Sequence, residues 1–216
     1  MTTEQTSKPA RLASRLLTTG LGVIACALAL MWAVEIVDSL LLSDRLQGNG
    51  IQPRELGQLD GIVWAPFLHS TFGHLASNSV PFVILGWLVA VRGLRHWVAV
   101  TAIAVIVGGG LTWFLAGSGN HIGASGVVFG YFGALIGAAF YERRPATLAP
   151  ALVAVLLYSG MLVGIVPQNR ISWEGHLFGL IAGLIAGRLL ARPRPAPKAD
   201  DDDIKYPWEE GQPWLE

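Results

Sequence analysis

The sequence has few charged residues. Only 14% of its 216 residues are Asp, Glu, Lys or Arg, whereas 52% are hydrophobic. Soluble domains carry about 25% charged residues, so this composition indicates a membrane protein. The 15 basic and 15 acidic residues balance to a net charge of zero. No basic excess therefore points to a nucleic-acid partner, and none is expected.

Cysteine and metal-binding motifs are also scarce. The single cysteine, Cys26, excludes a disulfide within the chain. His69, His74 and His176 are conceivable zinc ligands. However, the chain has no HExxH motif, and no carboxylate or thiolate accompanies the three histidines. We therefore expect neither a metal nor any other cofactor.

Long hydrophobic runs are abundant. A membrane-spanning helix needs about 20 mainly apolar residues. The sequence predicts an all-α membrane protein with a six-transmembrane-helix core over residues 16–191, preceded by a segment at 1–15. The tail, residues 192–216, is proline-rich and then acidic, and we predict that it does not fold. The six predicted spans are 16–34 (extending to about 41), 75–91, 97–117, 122–141, 149–167 and 172–191.

Basic residues predict the orientation of the spans. All four basic clusters fall on one side of the six-span arrangement, so the positive-inside rule predicts that both termini are cytoplasmic. A bacterial plasma membrane is the expected location. The clusters are Lys8, Arg11 and Arg15; Arg92 and Arg95; Arg143 and Arg144; and Arg188, Arg192, Arg194 and Lys198.

Spans four and six each carry glycine along one helical face, a pattern that favours close helix packing in membranes. Ser125 precedes the first glycine face and His176 lies within the top of the second, at a similar predicted depth. If the faces meet, these side chains form a nucleophile and its base. Taken singly, Ser125 could instead bond a nearby carbonyl, and His176 could be a buried structural residue. The faces are Gly126, Gly130, Gly133 and Gly137, and Gly175, Gly179, Gly183 and Gly187.

The outer end of span two supplies hydrogen-bond donors. His74 and Asn78 are four residues apart, so they share one helical face. Together with the backbone N–H of Ser125, they are candidates for stabilising an oxyanion. Alternatively, they tie a loop to the helix end. Glu174 lies two residues before His176 and is expected to point away from it, which leaves a dyad without a third acid.

Three motifs together resemble the rhomboid family of intramembrane serine proteases: GASG at 123–126, GHLFGLIAG at 175–183 and HSTFGHLASN at 69–78. The resemblance implies a rhomboid-like bundle in which Ser125 is the nucleophile and His176 the general base. It also implies that His74 and Asn78 are the oxyanion-hole side chains. Residues in supporting positions are His69, Gly123, Gly126, Phe129 and Gly179; Phe129 stands where the family often has tyrosine, so ring stacking is kept without the hydroxyl.

The resemblance further implies a peptide hydrolase that acts in the lipid bilayer on transmembrane protein substrates, near the outer membrane face. An alternative is a non-catalytic rhomboid-like protein that binds membrane helices without cutting them. A small transporter is another alternative, but it would predict inverted repeats or broken helices at the membrane midplane. The sequence specifies neither the natural substrate nor the oligomeric state.

Overall fold

The computed structural model describes residues 8–168 and 171–192, with side chains from Gly20 onward. Within this part of the chain, the regular structure is helical apart from one isolated β-bridge between Ile51 and His121. The predicted tail lies outside the described residues except for Arg192. The α-helices are α1 Lys8–Val37, α2 Gly61–Trp64, α3 Phe72–Ala90, α4 Leu94–Ile103, α5 Gly109–Leu115, α6 Ser125–Glu142, α7 Pro145–Tyr158 and α8 Trp173–Leu189.

The fold is a helical membrane bundle. Five helical stretches of the described chain are long and apolar enough to cross a membrane, and they correspond to the first five predicted spans. The sixth predicted span corresponds to α8, which has 17 residues and lies at the lower limit of about 17–25 for a spanning helix. The five stretches are Gly20–Leu42, Phe72–Ala90, Leu94–Leu115, Ser125–Glu142 and Pro145–Ile165.

Three spans are less regular than predicted. The first ends in a π-helical segment, Asp38–Leu42. The fifth was predicted to be continuous to residue 167, but α7 ends at Tyr158 and a 3₁₀-helix, Ser159–Ile165, follows it. Glycine disfavours α-helix, and this segment contains two, at Gly160 and Gly164. The third span contains a π-helical segment, Ala104–Gly108, between α4 and α5.

Helices α6 and α8 are in backbone contact along the two glycine faces. A Cβ atom added at Gly179 would lie 2.1 Å from the carbonyl oxygen of Gly126, and one at Gly183 would lie 2.1 Å from that of Gly130. Real Cβ contacts essentially never fall below 3.0 Å. Glycine is therefore required for this approach, and the predicted contact between the two faces is present.

The bundle has two chemically different ends. At one end, which we call the basic end, Arg92 forms an ion pair with Glu142, the last residue of α6. The backbone N–H of Arg192 donates to the same carboxylate at 3.0 Å. These contacts join the ends of α3, α6 and α8. Ser125 and His176 lie at the opposite end, which we call the site end.

We predict that Gly183→Ala destabilises the protein, because its methyl group must push α8 away from the Gly130 carbonyl. Overpacking of this kind costs about 1–3 kcal/mol. Thermal unfolding in detergent measures the effect. Gly110→Ala in α5 is the matched control, because nothing lies within 4 Å of an added Cβ there. Equal melting temperatures for the two variants would contradict the proposed dependence on close packing.

Candidate active site

Ser125 and His176 form a direct hydrogen bond at the site end. Ser125 is the first residue of α6, and His176 lies in the first turn of α8. The Oγ atom of Ser125 is 2.8 Å from Nε2 of His176. The contact between the glycine faces brings the two helix starts side by side.

Two contacts orient the His176 ring. Its Nδ1 atom is 2.9 Å from the carbonyl oxygen of Gly164, which can only accept a hydrogen bond. Nδ1 therefore carries the proton in the neutral ring, and Nε2 presents its lone pair to the Ser125 hydroxyl. Phe129 stacks on the ring, with centroids 4.5 Å apart and an interplanar angle of 10°.

Gly164 is a site residue that the sequence motifs do not indicate. It lies in the 3₁₀-helix after α7, and a Cβ atom there would be 2.9 Å from Nδ1 of His176. The only sequence signal was a pair of glycines, at 160 and 164, in the predicted fifth span. Glu174 was expected to point away from His176, and its carboxylate contacts the backbone N–H of Gly117 at 3.3 Å instead.

The segment before Ser125 is held by backbone N–H groups. Gly123 has a φ of +115°, which an L side chain rarely adopts. Its N–H donates to the carbonyl of Ala65 at 2.9 Å. The N–H of Ala124 donates to Nε2 of His69 at 3.2 Å. His69 is fully buried, and it fixes the chain immediately before Ser125 rather than contacting the Ser125–His176 pair.

His74 and Asn78 lie beside Gly123. A Cβ atom on Gly123 would be 2.8 Å from Nε2 of His74 and 3.5 Å from Nδ2 of Asn78. The Ser70 hydroxyl lies 3.2 Å from Nδ1 of His74, and the Ser70 N–H points at the same atom. Because a backbone N–H can only donate, Nδ1 accepts, and Nε2 carries the proton.

The Nδ2 group of Asn78 is buried and has no hydrogen-bond partner among the described residues. A buried donor without a partner is costly, so this amide is well suited to receive an oxygen from a bound molecule. The N–H of Ser125 also has no carbonyl to donate to within α6, because it belongs to the first turn. Ser125, His74 and Asn78, the residues of the three candidate donors, line the same cavity.

A cavity of about 620 Å³ adjoins these groups. Its wall includes Ser125, His176, His74 and Asn78, together with Tyr158 at the end of α7. Its size falls within the range of about 300–1,000 Å³ that is typical of ligand sites. Within residues 8–168 and 171–192, no group of three His, Cys, Asp or Glu side chains is arranged to hold a metal ion.

Because His69 accepts a hydrogen bond through Nε2 in its neutral form, we predict that the stability of the protein depends on pH. Burial, with a further contribution from His74, lowers the pKa of His69 to about 4, against an opposing interaction with the Phe67 backbone. The unfolded chain has the ordinary pKa of 6.5. The stability contributed by neutral His69 is therefore complete above pH 6.5 and is lost as the pH falls toward 4. The full effect is roughly 3 kcal/mol.

Melting temperatures measured from pH 7 to pH 4.5 test this. His69→Gln keeps an acceptor but does not titrate, so its melting temperature should fall less with pH than that of the wild type. His69→Phe leaves the Ala124 N–H unpaired and should lose about 1–3 kcal/mol of stability even at pH 7. Identical pH dependence in the wild type and His69→Gln would contradict the assignment of His69 as a neutral acceptor.

Comparison with known proteins identifies the family. A model of the rhomboid domain matches residues 56–193, which include every candidate site residue. An uncharacterized protein of Mycobacterium tuberculosis is 38% identical over 181 residues, covering 79% of this chain and 75% of that protein. One from Mycobacterium leprae is 36% identical over 182 residues, covering 80% and 72%. RHOMBOID-like protein 5 of Arabidopsis thaliana is 28% identical over 160 residues, covering 69% and 49%. The chain belongs to the rhomboid family.

Proposed function

We propose that this chain is an intramembrane serine endopeptidase that cleaves transmembrane protein substrates through a Ser125–His176 dyad. The observation that carries the proposal is the 2.8 Å contact between Ser125 Oγ and His176 Nε2. The Gly164 carbonyl at the opposite ring nitrogen supports it, because it favours the tautomer that a general base needs. Membership in the rhomboid family supports the same reaction class.

In the acylation step, Ser125 Oγ attacks the carbonyl carbon of the scissile peptide bond. The hydroxyl proton passes to His176 Nε2, while the proton on Nδ1 remains bonded to the Gly164 carbonyl. The imidazolium then donates its Nε2 proton to the leaving amine as the C–N bond breaks. The products are an acyl-enzyme on Ser125 and a free amine.

The oxyanion of the tetrahedral intermediate is assigned to three donors. They are Nε2–H of His74, Nδ2 of Asn78 and the backbone N–H of Ser125. The Ser70 contacts keep the His74 proton on Nε2, and the Asn78 amide has no competing partner within the described chain. Donors that are already oriented lower the barrier without reorganising during the reaction.

In the deacylation step, a water molecule attacks the acyl carbon, and His176 takes its proton. The imidazolium returns that proton to Ser125 Oγ as the acyl group leaves as a carboxylic acid. The water must come from the cavity beside the dyad, because lipid hydrocarbon supplies none. Polar wall residues such as Ser70 and Asn120 make this cavity suitable for water.

The orientation of the protein belongs to the same proposal. The basic end, with Arg92, Arg143 and Arg188, is assigned to the cytoplasm by the positive-inside rule. Both termini would then be cytoplasmic, and the site end would open toward the outer face of a bacterial plasma membrane. The bacterial origin of the mycobacterial relatives supports that location. Cleavage is accordingly expected near the outer end of a substrate helix.

We predict that purified wild-type protein cleaves a model transmembrane substrate and that Ser125→Ala and His176→Asn reduce the rate at least about 10³-fold. Each variant removes a group that takes part in proton transfer or attack. Gel analysis of the cleaved substrate in detergent and in proteoliposomes measures the rate. Melting temperatures close to that of the wild type show that the variants are folded.

Two results would contradict the proposal. Equal cleavage by Ser125→Ala and the wild type would show that Ser125 is not the nucleophile. No cleavage by folded wild-type protein across several substrates, combined with retained binding of substrate helices, would favour a non-catalytic helix-binding rhomboid-like protein.

We predict that His74→Ala and Asn78→Ala lower kcat by about 10²–10³-fold, because each removes one oxyanion donor. KM should change much less, since the charge develops after substrate binding. Ser79→Ala is the matched control on α3: its hydroxyl donates to the Leu75 carbonyl and accepts from Trp32 of α1. A rise in KM without a fall in kcat would assign His74 and Asn78 to substrate binding instead.

A further inference from the structure

The loop between the third span and α6, residues 116–124, carries a second Ser–His contact. Its residue His121 exchanges backbone hydrogen bonds with Ile51, at 2.9 and 3.0 Å. The His121 side chain extends away from that pairing, and its Nδ1 atom is hydrogen-bonded to the hydroxyl of Ser172. The backbone of the loop is therefore held independently of the His121 ring.

Ser172 immediately precedes α8, but its hydroxyl does not cap the helix. The Ser172 carbonyl instead accepts the backbone N–H of His176 at 3.1 Å. The side chain of Ser172 contacts the 116–124 loop, while its backbone contacts the residue that carries the proposed base. A weaker surface contact, from the Gly117 N–H to Glu174, joins the same two elements at 3.3 Å.

The two Ser–His pairs have the same spacing in sequence, with the two residue types exchanged. The residues of each pair are 51 apart in sequence. His121 lies four residues before Ser125, and Ser172 lies four residues before His176. The His121–Ser172 contact thus joins the segment that leads into α6 to the residue that precedes α8.

Glycine packing alone does not hold this end of α8. A Cβ atom at Gly179 would be 2.1 Å from the Gly126 carbonyl oxygen, whereas one at Gly175 would meet only Ser172 within 4 Å. The nearest approach between the helices at Gly175 is an ordinary contact of 3.4 Å, from an added Cβ on Gly126 to the Gly175 carbonyl. The His121–Ser172 hydrogen bond adds a contact beside the turn that carries His176.

We propose that His121 and Ser172 are positioning residues whose hydrogen bond fixes the separation of Ser125 from His176. The proposal rests on the catalytic function proposed above. His121 is 9% exposed, and its contact with Ser172 is partly buried. Burial lowers the pKa of His121, against the opposing effects of Glu174 and the Gly117 backbone, which keeps the ring neutral near pH 7.

The test uses two variants of similar shape, Ser172→Thr and Ser172→Val, which differ by the hydroxyl group. Ser172→Thr should cleave the model substrate at close to the wild-type kcat. Ser172→Val should lose about 10- to 100-fold in kcat with little change in KM, because a displaced base slows chemistry rather than binding. The rate at which a fluorophosphonate labels Ser125 should fall by the same factor.

His121→Phe keeps an aromatic ring but has no ring nitrogen, and it should match Ser172→Val. The double variant should be no slower than either single variant, because both remove the same hydrogen bond. Ser39→Ala is the control: its hydroxyl contacts Asp44 at the end of the first span, away from α8. Melting temperatures report whether each variant is folded.

Equal rates for Ser172→Thr and Ser172→Val would overturn the positioning role, as would multiplied losses in the double variant. Losses that appear in KM or follow the melting temperature would assign the pair a purely structural role. Failure of the proposed function looks different: wild-type protein would neither cleave substrate in a Ser125-dependent manner nor be labelled at Ser125. Labelling without cleavage still tests the pair, through the labelling rates of the variants.

Discussion

Backbone contact between α6 and α8 is the constraint on which the site depends. At Gly133, Gly179 and Gly183, the helices approach so closely that an added Cβ atom would overlap a carbonyl oxygen of the facing helix. Lipid gives little hydrophobic driving force for helix association, so close van der Waals contact has to provide much of it. The same contact places the starts of both helices together at one end. A larger side chain at Gly133, Gly179 or Gly183 would push α8, and His176 with it, away from α6.

Polar groups at the site end are paired through hydrogen bonds between neutral groups rather than through ion pairs. His69 accepts from the Ala124 N–H, the Gly164 carbonyl orients His176, and Ser70 sets the tautomer of His74. Each of these contacts uses a neutral imidazole. Neutral rings suit a membrane protein, because burying an ion is far more costly than burying a neutral, hydrogen-bonded group. The Nε2 lone pair of His176 is accordingly directed at Ser125 without the help of a buried carboxylate beside the ring.

Much of the site could be predicted because helical periodicity places glycine, Ser125 and His176 on matching faces. The stacking of Phe129 on His176 was implied by the resemblance to the rhomboid family, and it is present. Backbone partners could not be predicted. The Gly164 carbonyl is a backbone group, so no residue type marks it in the sequence. It reaches Nδ1 of His176 from the 3₁₀-helix that follows α7. The His121–Ser172 contact joins two non-helical positions, for which the sequence provides no periodic signal.

A structure of the protein with a phosphonate bound covalently to Ser125 tests the central claim most directly. The phosphonate oxygen that mimics the oxyanion should lie within hydrogen-bond distance of His74 Nε2, Asn78 Nδ2 and the Ser125 N–H. His176 should remain bonded to the Gly164 carbonyl through Nδ1. An adduct on another residue, or an oxygen directed away from all three donors, would contradict the account.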